Sequence, residues 1–88
     1  MTDTQVNITL GAKAKALLED ETLNKAFAAV DELFIERWKT STDAAERDRC
    51  WMGINIAAQV RSALGVFVDN GKVSQSDLDA ILAQEKAA

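Results

Sequence analysis

The chain of 88 residues contains no histidine, no tyrosine and only one cysteine. A serine or cysteine nucleophile ordinarily needs a base within hydrogen-bonding reach, and the commonest such base is histidine. The acidic residues have neither the spacing of a calcium loop nor that of a zinc site. We therefore predict that the protein is not an enzyme, has no catalytic or cofactor-binding residues and binds no metal.

Long hydrophobic segments are also missing. No stretch approaches the roughly 20 apolar residues of a transmembrane helix, and the N-terminus carries no hydrophobic signal, so a membrane role is not expected. The single cysteine, Cys50, cannot form an internal disulfide, which is typical of a reduced cytoplasmic protein. Its neighbour Arg49 favours a thiolate, whereas its position beside Trp51 on an apolar stripe favours a buried, unreactive thiol. We predict the buried thiol.

Positive charge is scarce and evenly spread along the chain. Ten Lys and Arg residues stand against 14 Asp and Glu residues, a net charge of −4. Residues 1–40 and residues 41–88 each hold five basic and seven acidic side chains. Because phosphate binding needs clustered basic residues, a direct nucleic-acid partner is not favoured.

The composition is typical of a helical globular domain. Apolar residues make up 48% of the chain and charged residues 27%, and there is no proline. A domain of this length buries only about 60% of the surface that its unfolded chain exposes. Small helical chains often gain stability by pairing leftover apolar surface with a second copy or with another protein. We therefore expect a homo-oligomer, a complex with another protein, or both.

Two long amphipathic patterns predict the centre of the fold. The first runs over about residues 21–40 and follows an acidic cluster that favours a helix N-terminus. The second runs over residues 42–70, with Thr42 or Asp43 as its cap and Asn70-Gly71 as its stop. Because a short connection normally makes helices antiparallel neighbours, the prediction is an all-α fold built on an antiparallel helical hairpin.

The flanking segments carry weaker patterns. Residues 1–10 show no helical period and are predicted to be a flexible N-terminal arm, before a single helical domain over residues 11–88. Gly11 begins a short N-terminal helix in this prediction, and Ser74 caps a short C-terminal one.

The apolar face of the hairpin predicts the core. Its members are large apolar residues at helical spacing: Leu23, Phe27, Val30, Phe34, Trp38, Trp51, Ile54, Leu64 and Phe67. The apolar stripe of the second helix is wider than one neighbouring helix can cover, so part of it is expected to face a partner. Trp38 and Trp51 near the connection are predicted as core anchors, with a partner surface as the alternative.

Charged residues on the second helix are candidates for an interface, together with one residue of its apolar stripe: Arg47, Arg49, Arg61 and Val60. Arg61 lies in a largely apolar stretch. A desolvated arginine there needs a carboxylate partner, unless its apolar stem simply lies along the surface with the charge in water. Both interpretations stay open on the sequence.

The order of residues resembles that of small proteins encoded by tailed bacteriophages. The resemblance covers about residues 12–78 and is carried by the segments LLEDETLNKAFAAVDELFIERW, TSTDAAERDRCW and AAQVRSALGVFVDNGKV. Many such phage proteins lie among the genes for head assembly and DNA packaging. The resemblance therefore implies a viral protein of the host cytoplasm with a role in the virion or in its assembly.

Two functions from different classes follow. The first is a non-enzymatic protein that acts through helix-mediated contacts in virion or head assembly, with itself or with another phage or host protein as partner. The second is a small acidic phage inhibitor that occupies a basic groove of a host defence system or host enzyme. A net charge of −4 is low for such a mimic, so we favour the first.

Overall fold

The computed structural model describes the backbone of residues 2–87 and the side chains of residues 2–86. Over this range the chain forms helix α1 (Asp3–Glu19), helix α2 (Glu21–Thr40) and helix α3 (Ala44–Ala87), and it contains no β-strand. The prediction of an all-α fold is confirmed.

Helix α2 has the bounds that the sequence predicts, and its ends are set by local hydrogen bonds. The side chain of Asp20 accepts a hydrogen bond from the amide of Leu23 at 2.7 Å, which satisfies a donor that the helix start leaves open. At the other end the backbone turns to an extended conformation at Ser41, whose amide still donates to the carbonyl of Arg37. The acidic cluster before α2 therefore acts as the predicted cap.

Helix α3 begins after a connection of three residues, 41–43. Asp43 rather than Thr42 is its cap, because the Asp43 carboxylate accepts a hydrogen bond from the amide of Ala45 at 3.0 Å. The amide of Asp43 donates in turn to the hydroxyl of Ser41 at 3.1 Å. These two bonds fix the chain where it leaves α2 and enters α3.

The predicted end of this helix at Asn70-Gly71 is wrong. Residues 70 and 71 lie inside α3, which continues to Ala87, and no described residue has a positive φ. The short C-terminal helix is therefore the last part of α3, and Ser74 is a buried interior residue rather than a cap.

The predicted N-terminal arm is also corrected, because α1 begins at Asp3. The amide of Gln5 donates to the hydroxyl of Thr2 at 3.2 Å, and the amide of Thr2 donates to the side-chain carbonyl of Gln5 at 3.1 Å. This reciprocal pair is a capping box of the form Thr-x-x-Gln, which stabilises a helix start. The motif is visible in the sequence and outweighs the weak helical period of the residues that follow. Met1 lies outside the described residues.

The helices divide into two compact units. One unit consists of α1 up to Leu18 and α3 from Ala63 onward, and the other spans Glu19–Ser62 and contains α2 with the first part of α3. The single domain predicted over residues 11–88 stays a prediction.

In the first unit α1 and α3 meet backbone to backbone. Gly11 and Gly71 are both buried, and a Cβ placed on Gly11 would lie 2.8 Å from the carbonyl oxygen of Phe67 and 3.0 Å from the Cα of Gly71. One turn along, the Asn7 side-chain amide donates a hydrogen bond to the Ser74 hydroxyl at 3.3 Å. Gly71 thus serves close helix packing, which explains why it does not end α3.

The apolar side chains that are buried are all small. Over residues 2–86 these are Ala14, Cys50 and Ala57, so the buried thiol is confirmed. The predicted core residues are half-buried at Leu23, Phe27, Phe34, Ile54 and Leu64. The prediction is wrong for Val30, Trp38, Trp51 and Phe67, which are exposed in the chain. Each unit is a pair of helices, and a pair lacks the second layer that would cover large side chains.

Candidate functional site: an exposed tryptophan patch

Both tryptophans lie on one apolar surface beside the connection between α2 and α3. They line an open hollow of about 330 Å³, and the five lining residues, which we call the tryptophan patch, are Ile35, Trp38, Lys39, Trp51 and Ile54. Trp51 is 63% exposed and Trp38 is 40% exposed. Exposed large apolar side chains that cluster in one place mark interaction sites on soluble proteins.

Helical spacing explains why these residues come together. Ile35 and Trp38 are three residues apart on α2, and Trp51 and Ile54 are three apart on α3, so each pair shares one face of its helix. Gly53 lets the two helices approach closely, because a Cβ at this position would lie 2.7 Å from the ring of Phe34. The patch is therefore assembled by a glycine-to-aromatic contact between the helices.

Positive charge borders the tryptophan patch. The guanidinium carbon of Arg47 lies 4.3 Å from the centre of the Trp38 ring, a cation–π contact. Lys39 lies within the patch itself. A second hollow is lined by Trp38 and Arg47, together with Thr42, Ala44 and Asp48. The predicted interface residue Arg47 thus holds one of the two tryptophans and adds charge to the rim.

Arg61 makes an ion pair inside the second unit. Its guanidinium nitrogen Nη2 lies 2.6 Å from Oδ2 of Asp31, and its guanidinium carbon lies 4.9 Å from the centre of the Phe27 ring. The other carboxylate oxygen of Asp31 is buried and has no hydrogen-bond partner. The interpretation that Arg61 has a carboxylate partner is therefore correct, and this contact orients the side chain toward α2.

We expect Arg61→Ala to lower the free energy of unfolding by about 1–2 kcal/mol, between the values for exposed and for buried ion pairs. The variant removes the partner of a half-buried carboxylate and an aromatic contact. Urea unfolding followed by circular dichroism measures the change. The control is Lys25→Ala, which removes the exposed pair between Lys25 and Glu21 at 3.0 Å and is expected to cost less than about 0.5 kcal/mol. Equal effects of the two variants would show that the Arg61–Asp31 pair contributes no more to the free energy of unfolding than an exposed ion pair does.

The other two predicted interface residues, Arg49 and Val60, are exposed. Val60 belongs to an exposed apolar row on α3 with Met52 and Ile56, which recur every four residues. The sequence analysis did not select Ile35 and Lys39 of the tryptophan patch. Their signal was the spacing of Ile35 and Trp38, which places both on the flank of α2 next to its core face.

No three side chains of Cys, Asp or Glu among residues 2–86 are grouped as metal ligands would be. None of the described helices carries an apolar run sufficient for a transmembrane span.

Comparisons with known proteins give no match. No protein-family model, no curated protein sequence and no solved structure matches the chain.

Proposed function

We propose that this protein works without catalysis, through helix-mediated contacts with other protein chains, and that the tryptophan patch is the surface that such a contact covers. The observation that carries the proposal is the 63% exposure of Trp51 in a patch that also exposes Trp38. Tryptophan is among the residues that contribute most to binding at protein interfaces.

The energetics of the chain support this proposal. A tryptophan buries about 150–250 Å² when it is covered, so two largely uncovered tryptophans leave a substantial gain for association. At about 25 cal/mol per Å² of buried apolar surface, covering most of Trp51 alone contributes several kcal/mol before the costs of binding. The small side chains buried within the chain supply little by comparison.

The geometry of the patch favours a protein partner over a small molecule. Its hollow of about 330 Å³ is open and has one charged lining residue, Lys39. Small-molecule sites usually enclose most of the ligand and place several polar groups around it. A side chain presented by another helix fits an open apolar hollow better.

We further propose that α2 and the first part of α3 form an antiparallel hairpin that presents the patch. The order of contacts supports this arrangement. Trp38 meets Arg47, Phe34 lies against Gly53, and Asp31 pairs with Arg61. Residues that lie earlier in α2 thus contact residues that lie later in α3.

The biological setting in this proposal is the assembly of a tailed phage head or virion, in the host cytoplasm or in the particle. Its support is the resemblance of residues 12–78 to small tailed-phage proteins. Self-association, contact with a head protein, or both would cover the tryptophan patch. The alternative proposal is an acidic inhibitor of a host defence system or host enzyme. Such an inhibitor would bind a host protein in the infected cell and would not be part of the phage particle or the empty head.

Mass spectrometry of purified phage particles and empty heads tests this setting. The assembly role predicts peptides of this chain in one of the two, in a constant ratio to a head protein. Unrelated host proteins of equal abundance serve as the control for carry-over. Absence from both preparations, while the protein binds a host enzyme in infected cells, would contradict assembly and support the inhibitor.

A further inference from the structure

The last part of α3 is exposed and carries both acidic and apolar side chains. Every described residue from Asp79 to Lys86 is exposed, and Ile81 and Leu82 are 54% and 45% exposed. We call residues 77–86 the acidic tip. It holds three acidic residues and one basic residue.

The packing of the first unit explains this exposure. Gly11 packs on Gly71, and Asn7, one turn earlier in α1, forms a hydrogen bond with Ser74, which lies later in α3. Residues nearer the start of α1 therefore contact residues nearer the end of α3. Helix α1 begins at Asp3, one turn before Asn7, and Leu78 lies one turn beyond Ser74. The residues of α3 beyond Leu78 therefore extend past the start of α1.

The acidic tip presents an apolar face with negative charge on it. Ile81, Leu82 and Glu85 lie one turn or less apart, so they share a face of the helix. The tryptophan patch presents the complement, because its apolar residues are accompanied by Lys39 and bordered by Arg47. Opposite potentials of this kind select partners and orientation at interfaces.

We propose that the tryptophan patch of one copy binds the acidic tip of a second copy, so that Ile81 and Leu82 cover the tryptophans and Glu85 approaches Lys39. The inference rests on the proposed function of association and names the partner surface for it.

Charge also argues against a contact between two identical patches. Such a two-fold contact would bring Lys39 and Arg47 of one copy against the same residues of the other, and like charges at an interface are unfavourable. The contact between tip and patch joins two different surfaces. A pair of copies joined by one such contact keeps one free patch and one free tip, so that assembly continues into an open chain or closes, either as a reciprocal dimer or as a larger ring.

The test is a charge exchange in the full chain, measured by sedimentation equilibrium. Lys39→Glu and Glu85→Lys each place like charges at the contact, and each is expected to weaken association by about tenfold or more. The double variant, and an equimolar mixture of the two single variants, restore opposite charges and are expected to recover most of the lost affinity. Both positions are exposed, so circular dichroism is expected to show an unchanged helical fold.

The control is Lys25→Glu, which makes the same change on α2 away from the patch and is expected to leave association unchanged. Unaltered association of both single variants, or failure of the double variant to recover, would overturn the inference. In those cases a loss of association in Trp51→Ala would still support the proposed function. A wild-type chain that binds neither itself nor any other protein would instead contradict the proposed function.

Discussion

Replacing Gly11 by alanine is expected to lower the free energy of unfolding by about 1–3 kcal/mol, the usual cost of forcing extra atoms into a packed contact. The added Cβ would lie 2.8 Å from the carbonyl oxygen of Phe67 and 3.0 Å from the Cα of Gly71. Both neighbours are backbone atoms, which cannot rotate away as a side chain can. Helix α1 must therefore shift from α3, which strains the bond between Asn7 and Ser74. Chemical unfolding of the two proteins measures the difference.

Gly65→Ala is the matched control, because it makes the same substitution in a helix interior where, apart from the adjoining residues and backbone of its own helix, no atom lies within 4 Å of the new Cβ. Alanine is a better helix former than glycine by up to about 1 kcal/mol, so this variant is expected to be more stable than the wild type. The two substitutions thus have opposite signs. A Gly11→Ala protein as stable as the Gly65→Ala protein would show that α1 does not pack closely on α3 at this point.

Local signals in the sequence predicted the parts of the fold that local interactions determine. Helix α2 has its predicted bounds because Asp20 caps it and because the polar connection after Thr40 breaks the apolar period. The same reasoning found the cap of α3 to within one residue, at Asp43. The capping box of Thr2 and Gln5 is equally local and would have placed the start of α1.

The end of α3 could not be predicted in this way. Asn-Gly is a strong local signal for the end of a helix, and Gly71 was interpreted as such a signal. Gly71 instead meets Gly11, which is sixty residues away in the sequence, and this tertiary contact decides its conformation. A single sequence shows the two glycines but not that they face each other.

The candidate site was predicted in part. The width of the apolar stripe indicates surface left over for a partner. A carboxylate partner is one of the two interpretations that the sequence leaves open for Arg61, and the structure identifies that partner as Asp31. The tryptophans were assigned to the core because periodicity identifies the apolar face of a helix. It does not reveal whether another element covers that face, and Trp51 is uncovered within the chain.

Trp51→Ala is expected to weaken association by about 30-fold or more, the effect of losing a central aromatic residue at an interface. The free energy of unfolding of the single chain is expected to change little, because 63% of the side chain is already exposed to solvent. Titration of labelled with unlabelled chain measures the dissociation constant, and urea unfolding at low concentration measures stability.

The control for this variant is Val73→Ala, which shortens another strongly exposed apolar side chain of α3 that lies outside the tryptophan patch and the acidic tip. Its dissociation constant is expected to equal that of the wild type. If Trp51→Ala associated as well as Val73→Ala, the tryptophan patch would not be the surface that the partner covers.

Sedimentation equilibrium of the unaltered chain over a wide range of concentrations is the most direct measurement of the central claim, that this chain leaves apolar surface for a protein partner. We expect the average mass to rise above that of one chain as the concentration increases. For Trp51→Ala we expect this rise to begin at a higher concentration than for the unaltered chain. A helical protein that keeps the mass of one chain at every concentration, and that captures no phage or host protein through Trp51, would contradict the account.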